Sequence, residues 1–201
     1  GLTWQQYLSV EDGLDGFNTW LSTHIRELRA NPGDNLMSQL IEASLSTEIS
    51  RCTGPVVLGV DWARYRDYTA IVALQNREGL TETVHIERIF REPWPVQVAK
   101  VSQLANDWDA RVIACDGTGV GDAVTTMLQE AVPNRSVQPF TFTQSLKGSL
   151  VADLRMAFER ERLKLLPDRD LLRELQHFEW RDGRLEGTSG FHDDLVMALA
   201  L

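Results

Sequence analysis

From residue 55 onward the chain carries a pattern that few folds accommodate: three β-rich segments in close succession, then helices and strands in alternation. Residues 56–61 are an apolar run that ends in a carboxylate, and residues 68–75 and 82–90 are rich in β-branched and aromatic side chains. The break at 76–80 contains Arg77-Glu78-Gly79. Segments this short and this close pair as an antiparallel meander. Beyond them, 96–108 has helical spacing behind the punctuation of Pro93 and Pro95, 111–116 is a short apolar strand, 121–131 is helical and 137–142 is a further strand. Residues 145–162 place Leu146, Leu150, Leu154 and Phe158 four apart, as a helix face requires. A shorter helix over 170–177, a hairpin over 178–187 around Asp182-Gly183 and an apolar helix over 192–201 follow. A meander followed by alternation predicts an α/β fold: a mixed five-stranded sheet flanked by helices.

Residues 1–54 read differently. Breakers at Gly13, Gly16, Asn31-Pro32-Gly33-Asp34 and Thr53-Gly54-Pro55 separate two stretches of helical spacing, 17–30 and 36–50. We expect a helical lead-in over 1–54 and the α/β domain over 55–201. No apolar run approaches the ~20 residues of a membrane span, and the first residues lack a signal-peptide layout. Cys52 and Cys115 lie far apart and form no C-x-x-C pair, which excludes a disulfide framework or zinc knuckle and points to a reducing cytoplasm. The net charge of −9 argues against a protein that holds nucleic acid by its overall field. Its acids either solvate the surface or cluster to hold metal.

Three groups of acids occupy unusual places. Asp61 ends Val56-Val57-Leu58-Gly59-Val60, Asp116 ends Val112-Ile113-Ala114-Cys115, and Asp193-Asp194 begin the apolar run Leu195-Val196-Met197-Ala198-Leu199. Taken singly, each is explained as a turn former or helix cap. Taken together, carboxylates at the same end of adjacent strands can converge with a helix start, and they would repel unless cations intervened. Oxygen-only ligands select hard ions, Mg²⁺ or Mn²⁺. Two such ions about 3.5–4 Å apart would clamp the attacking and leaving oxygens of a phosphodiester.

The spacing of these motifs resembles a family. Residues 58–70, with Asp61 and the further acid Asp67, look like the first nuclease motif of phage large terminases. Residues 113–122 are similar to the second motif, and residues 190–200 resemble the C-terminal one. The resemblance covers about residues 55–201 and implies an RNase H-like nuclease domain that cuts double-stranded DNA, the genome concatemer, during packaging in the host cell cytoplasm. By position, Asp61 would be the central ligand bridging two Mg²⁺ or Mn²⁺ ions, Asp116 would hold one and Asp194 the other. Asp193 and Asp67 match auxiliary acid positions, and the attacking water would lose its proton through metal coordination. The resemblance also implies partners: an ATPase domain of the same large subunit, a small terminase subunit and a portal. No G-x-x-x-x-G-K-[ST] motif occurs, so the ATPase half is expected outside this stretch.

Other residues carry weaker signals. Arg64 and Arg66 follow the first catalytic strand, where DNA should pass, and Lys147 lies at a helix start that favours phosphate. Each is balanced by ordinary surface charge. His192 is read as a helix-start residue, and Trp62 and Tyr65 as packing for their loop. Gly117-Thr118-Gly119-Val120-Gly121 departs from a dinucleotide fingerprint and reads as a tight turn beside Asp116. Two alternatives stay open: a Holliday-junction resolvase or integrase-like nuclease of the same fold, and a non-enzymatic DNA-binding or docking module. A sugar-kinase-like phosphotransferase is disfavoured because Ala63 stands where its loop wants glycine.

Overall fold

The computed structural model describes residues 54–63, 65, 67–118, 121–181, 184–187 and 192–201. The helical lead-in expected over 1–54, Arg64 and Arg66 lie outside the described residues, Gly54 excepted.

The meander is β1 (Val56–Asp61), β2 (Tyr68–Arg77) and β3 (Leu80–Phe90). The β2–β3 turn is tighter than the sequence implies. Glu78 and Gly79 have φ of 51° and 87°, the left-handed pair that matches strand twist in a two-residue hairpin. Helix α1 (Trp94–Asp107) starts earlier than expected because Pro95 fits inside a first turn, where its missing N–H costs nothing. Next come β4 (Val112–Asp116), α2 (Gly121–Ala131), β5 (Ser136–Phe140) and α3 (Gln144–Glu159). Thr143 caps α3, accepting from the Leu146 N–H at 3.1 Å. After β6 (Leu163–Lys164), α4 (Arg169–His177) is capped by Asp168, which accepts from the Leu171 N–H at 2.8 Å. The hairpin of β7 (Phe178–Arg181) and β8 (Arg184–Gly187) and the helix α5 (Asp194–Ala200) end the described chain.

The main sheet runs β5-β4-β1-β2-β3-β6. The five expected strands are present, and β6 adds a sixth too short to show periodicity. It pairs parallel to β3 through Thr81 and Glu82, beside a hydrogen bond from the Thr81 N–H to the Arg162 carbonyl at 2.8 Å. β1 pairs antiparallel to β2 and parallel to β4, so the sheet is mixed as expected.

Side-chain alternation divides the core into two layers. Val56, Leu58, Val60, Ile71, Ala73, Ile113 and Cys115 face α1 and α2. Ala70 and Val72 face the opposite layer, built from Leu154 and Phe158 of α3, Leu171, Leu172 and Leu175 of α4, and Leu195–Leu199 of α5. Gly59 belongs to this second face, and a Cβ there would land on the Ala198 carbonyl oxygen. The glycine therefore lets α5 lie directly on β1.

Candidate active site

The same alternation sets where the acids point. Val56, Leu58 and Val60 occupy the α1 side of β1, so Asp61 projects from the α5 side. In β4, Ile113 and Cys115 take the α1 side and leave Asp116 on the α5 side. Parallel pairing of Val60 with Cys115 then sets Asp61 and Asp116 side by side at one sheet edge. With α5 resting on β1, its first residue Asp194 arrives at that edge from above.

Electrostatics reports the convergence. Burial pushes the half-buried Asp61 carboxyl well above its ordinary range, and the charges of Asp116, Asp194 and Asp193 push it further, against an opposing pull from Lys147. Burial raises buried Asp194 to about 6. A hydrogen bond from the Tyr68 N–H to its Oδ2, at 3.2 Å, holds it down, while the Asp67 and Asp193 charges raise it. Asp193 faces the Lys147 ammonium at 3.8 Å, and that ammonium lies 5.5 Å from the Phe142 ring centroid. Asp67 is exposed and pairs with His192 Nδ1 at 3.1 Å, which stands 3.9 Å from Asp194 Oδ2. Thus Asp61, Asp116, Asp193, Asp194 and Asp67 gather at one edge, with Lys147 among them. Among the described residues, no three His, Cys, Asp or Glu side chains stand close enough to enclose one ion as placed.

The turn reading for Asp116 also holds. Its Oδ1 accepts from the Thr118 N–H at 2.7 Å, and Thr118 Oγ1 accepts from the Phe142 N–H at 2.8 Å, tying the loop to the end of β5. Trp62 packs its loop, edge-on to Trp94 at 6.4 Å. That loop is stapled by two buried polar residues the sequence did not single out. Thr69 Oγ1 accepts from the Ala63 N–H at 2.8 Å, and the Gln97 amide donates to the carbonyls of Ala63 at 3.0 Å and Glu92 at 2.7 Å.

Three further residues escaped sequence reasoning. Glu174 of α4 is buried, with Oε2 accepting from the Leu195 and Val196 N–H groups at 2.7 and 3.3 Å. Arg88 reaches it at 3.6 Å, pairs with Asp170 at 3.2 Å and lies 3.9 Å over the Tyr68 ring. A charged residue inside the leucine face of α4 was a readable signal for Glu174; nothing local marked Arg88 or Tyr68. On the β3 side of the edge, Tyr65 and Phe90 are exposed, and the Arg91 guanidinium covers the Phe90 ring at 4.6 Å. A cleft of 420 Å³ lies at the opposite end of the sheet, between the C-terminal ends of α1 and α2.

The family described as Terminase RNaseH-like domain matches residues 58–201. Over 149 residues the chain is 29% identical to the "Terminase, large subunit" of Thermus virus P23-45. That match covers 72% of this chain and 30% of the relative's length. The large terminase nuclease from thermophilic phage G20c superposes with a TM-score of 0.72 at 23% identity, covering 84% of this chain and 97% of that one. Structures of that nuclease with bound magnesium, cobalt and zinc are also similar. At this identity the likeness establishes a shared fold. A stretch of 115 residues is 32% identical to 25% of a protein named putative cytochrome P450 140 in Mycobacterium bovis.

Proposed function

Because the chain belongs to the terminase RNase H-like nuclease family, we propose that it hydrolyses phosphodiester bonds in double-stranded DNA with Mg²⁺ or Mn²⁺, at the edge formed by Asp61, Asp116 and Asp194. The convergence of these three carboxylates from two strands and a helix carries the reading.

The donor set suits a hard divalent cation: it is all oxygen, crowded with like charge and partly withdrawn from water. Asp61, between Asp116 and Asp194, would be shared by two ions, with Asp193 and Asp67 as auxiliary acids. Val60 and Cys115, the residues just before Asp61 and Asp116, are register partners, so side-chain rotation would bring the two carboxylates together. Bound metal would supply charge to stabilise the attacked phosphate and to acidify the attacking water. The chain's own residues do the rest. Tyr68 orients Asp194 through its backbone N–H, His192 holds Asp67, and Lys147 offsets the acids while presenting a cation to a phosphate. Arg64 and Arg66 belong to the loop after β1 and would meet the DNA backbone beside it. Cleavage of the genome concatemer in the host cytoplasm, with an ATPase domain of the same large subunit, a small terminase subunit and a portal as partners, is the setting this activity fits.

The test is supercoiled plasmid incubated with the chain in EDTA, Mg²⁺ and Mn²⁺, beside Asp61→Asn and Asp194→Asn. Cleavage is expected only with metal, and each variant should lose on the order of 100-fold or more, at least what loss of an outer-sphere partner costs. Cleavage that survives EDTA or both substitutions overturns the reading. A strong preference for four-way junctions over linear duplex would move the assignment to a resolvase-like nuclease. DNA binding with no metal-dependent cleavage would favour a docking module.

A further inference from the structure

Helix α5 must do two things with its first residues. It needs acceptors for its unpaired N–H groups, and it must leave its acids free for the sheet edge. An Asp at the cap position normally spends its carboxylate on the N–H groups two and three residues on. Asp193 holds that position, with φ −125° and ψ 11°, yet its side chain makes no capping hydrogen bond. The two N–H groups it would take are those of Leu195 and Val196. Both donate instead to Glu174 Oε2, at 2.7 and 3.3 Å.

We propose that Glu174 is a positioning residue that caps α5 from the neighbouring helix, releasing the Asp193 and Asp194 carboxylates to the metal-binding edge; this rests on the nuclease reading above. The placement is deliberate in energetic terms. Glu174 sits on the α4 face that buries Leu171, Leu172 and Leu175, where an apolar side chain would pack without the cost of burying a carboxylate. That cost is offset only in part, by the two N–H donors on Oε2 and by the Arg88 guanidinium 3.6 Å from Oε1, an oxygen that accepts no hydrogen bond. Arg88 is held in turn by Asp170 and by the face of Tyr68, the residue whose N–H donates to Asp194 Oδ2. One network therefore grips Asp194 twice, through its helix and through its carboxylate. Asp193, relieved of capping, turns to Lys147.

The test uses Mn²⁺ binding by calorimetry and thermal melting of the 201-residue chain, so that no catalytic turnover is required. Glu174→Met keeps length and loses the acceptor; Glu174→Gln keeps an acceptor oxygen. Glu174→Met should bind Mn²⁺ about 10-fold more weakly, the usual effect of losing a residue that orients ligands, and Glu174→Gln should recover most of it. Asp193→Ala should weaken Mn²⁺ binding in the parent with little change in melting temperature. In the Glu174→Met background it should instead lower the melting temperature, because Asp193 has turned to cap its own helix. Parent-like Mn²⁺ affinity in Glu174→Met overturns the proposal. So does a melting loss for Asp193→Ala in the parent, a comparison that needs no Glu174 variant to fold. If the parent itself binds no Mn²⁺, the metal reading and the release of the acids to it fail together, while the melting comparison still decides which carboxylate caps α5.

Discussion

At the scale of single residues, the site depends on a side chain that is absent. Gly59 lies two positions before Asp61 on the same face of β1, against the backbone of α5 at Ala198. Gly59→Ala would push the helix, and Asp194 with it, off the strand. Overpacking of this kind costs about 1–3 kcal/mol, so we expect a melting temperature lower by several degrees and weaker metal-dependent cleavage. By contrast Gly148, beside which an added Cβ meets nothing within 4 Å, should accept Ala with neither loss. Melting and plasmid cleavage on the two variants check the contrast; equal effects would mean that the β1–α5 approach is not what places Asp194. Lys147 is the second residue-scale case. If it presents its charge to a phosphate, Lys147→Met should weaken DNA binding and lower the log–log salt slope by about 1. An unchanged slope would confine the lysine to pairing with Asp193.

At the scale of elements, the strands and the acids that end them were legible because each depends on local pattern: a period of two, an apolar run, a terminal carboxylate. The meander, β4, β5 and the order of the helices follow from that pattern, and so does the common face of Asp61 and Asp116 once the pairing is known. What stayed hidden depends on contacts distant in sequence. Strand β6 has two residues and exists through its pairing with β3. Arg88 matters only because β3, α4 and the start of β2 meet around it. Gln97 reads as an ordinary polar residue of α1, yet it is buried and bonded to the carbonyls of Ala63 and Glu92. It therefore fixes the start of the loop that carries Asp67. Gln97→Leu would leave the Glu92 carbonyl without its donor and the Ala63 carbonyl with the Thr69 hydroxyl alone, at about 1–3 kcal/mol. We expect faster proteolysis between β1 and β2 and a lower melting temperature; an unchanged digestion pattern would show that Thr69 alone suffices.

At the scale of the whole molecule, the acids that make the site also oppose the fold. Burial raises Glu174 from 4.5 to about 7 and Asp194 from 3.8 to about 6, and Asp61 is raised as well. Between the ordinary carboxylate range and those values, the native chain keeps protons that the unfolded chain has released. Stability therefore falls as pH rises through that window and levels off above about pH 7. For Glu174 the loss is on the order of 3 kcal/mol, or roughly 6–12 °C in melting temperature for a domain of this size. Glu174→Gln, which cannot ionise, should flatten its share of that slope. A divalent cation acts on the same groups with the opposite sign, because it binds their ionised forms and is coupled to proton release. The melting shift produced by Mn²⁺ should accordingly be larger at pH 8 than at pH 5.5, and Asp61→Asn should remove most of it. A metal-free melting temperature that stays flat from pH 4.5 to 7, or an Mn²⁺ shift independent of pH, would mean that the carboxylates at this edge are not the groups that link folding, protons and metal.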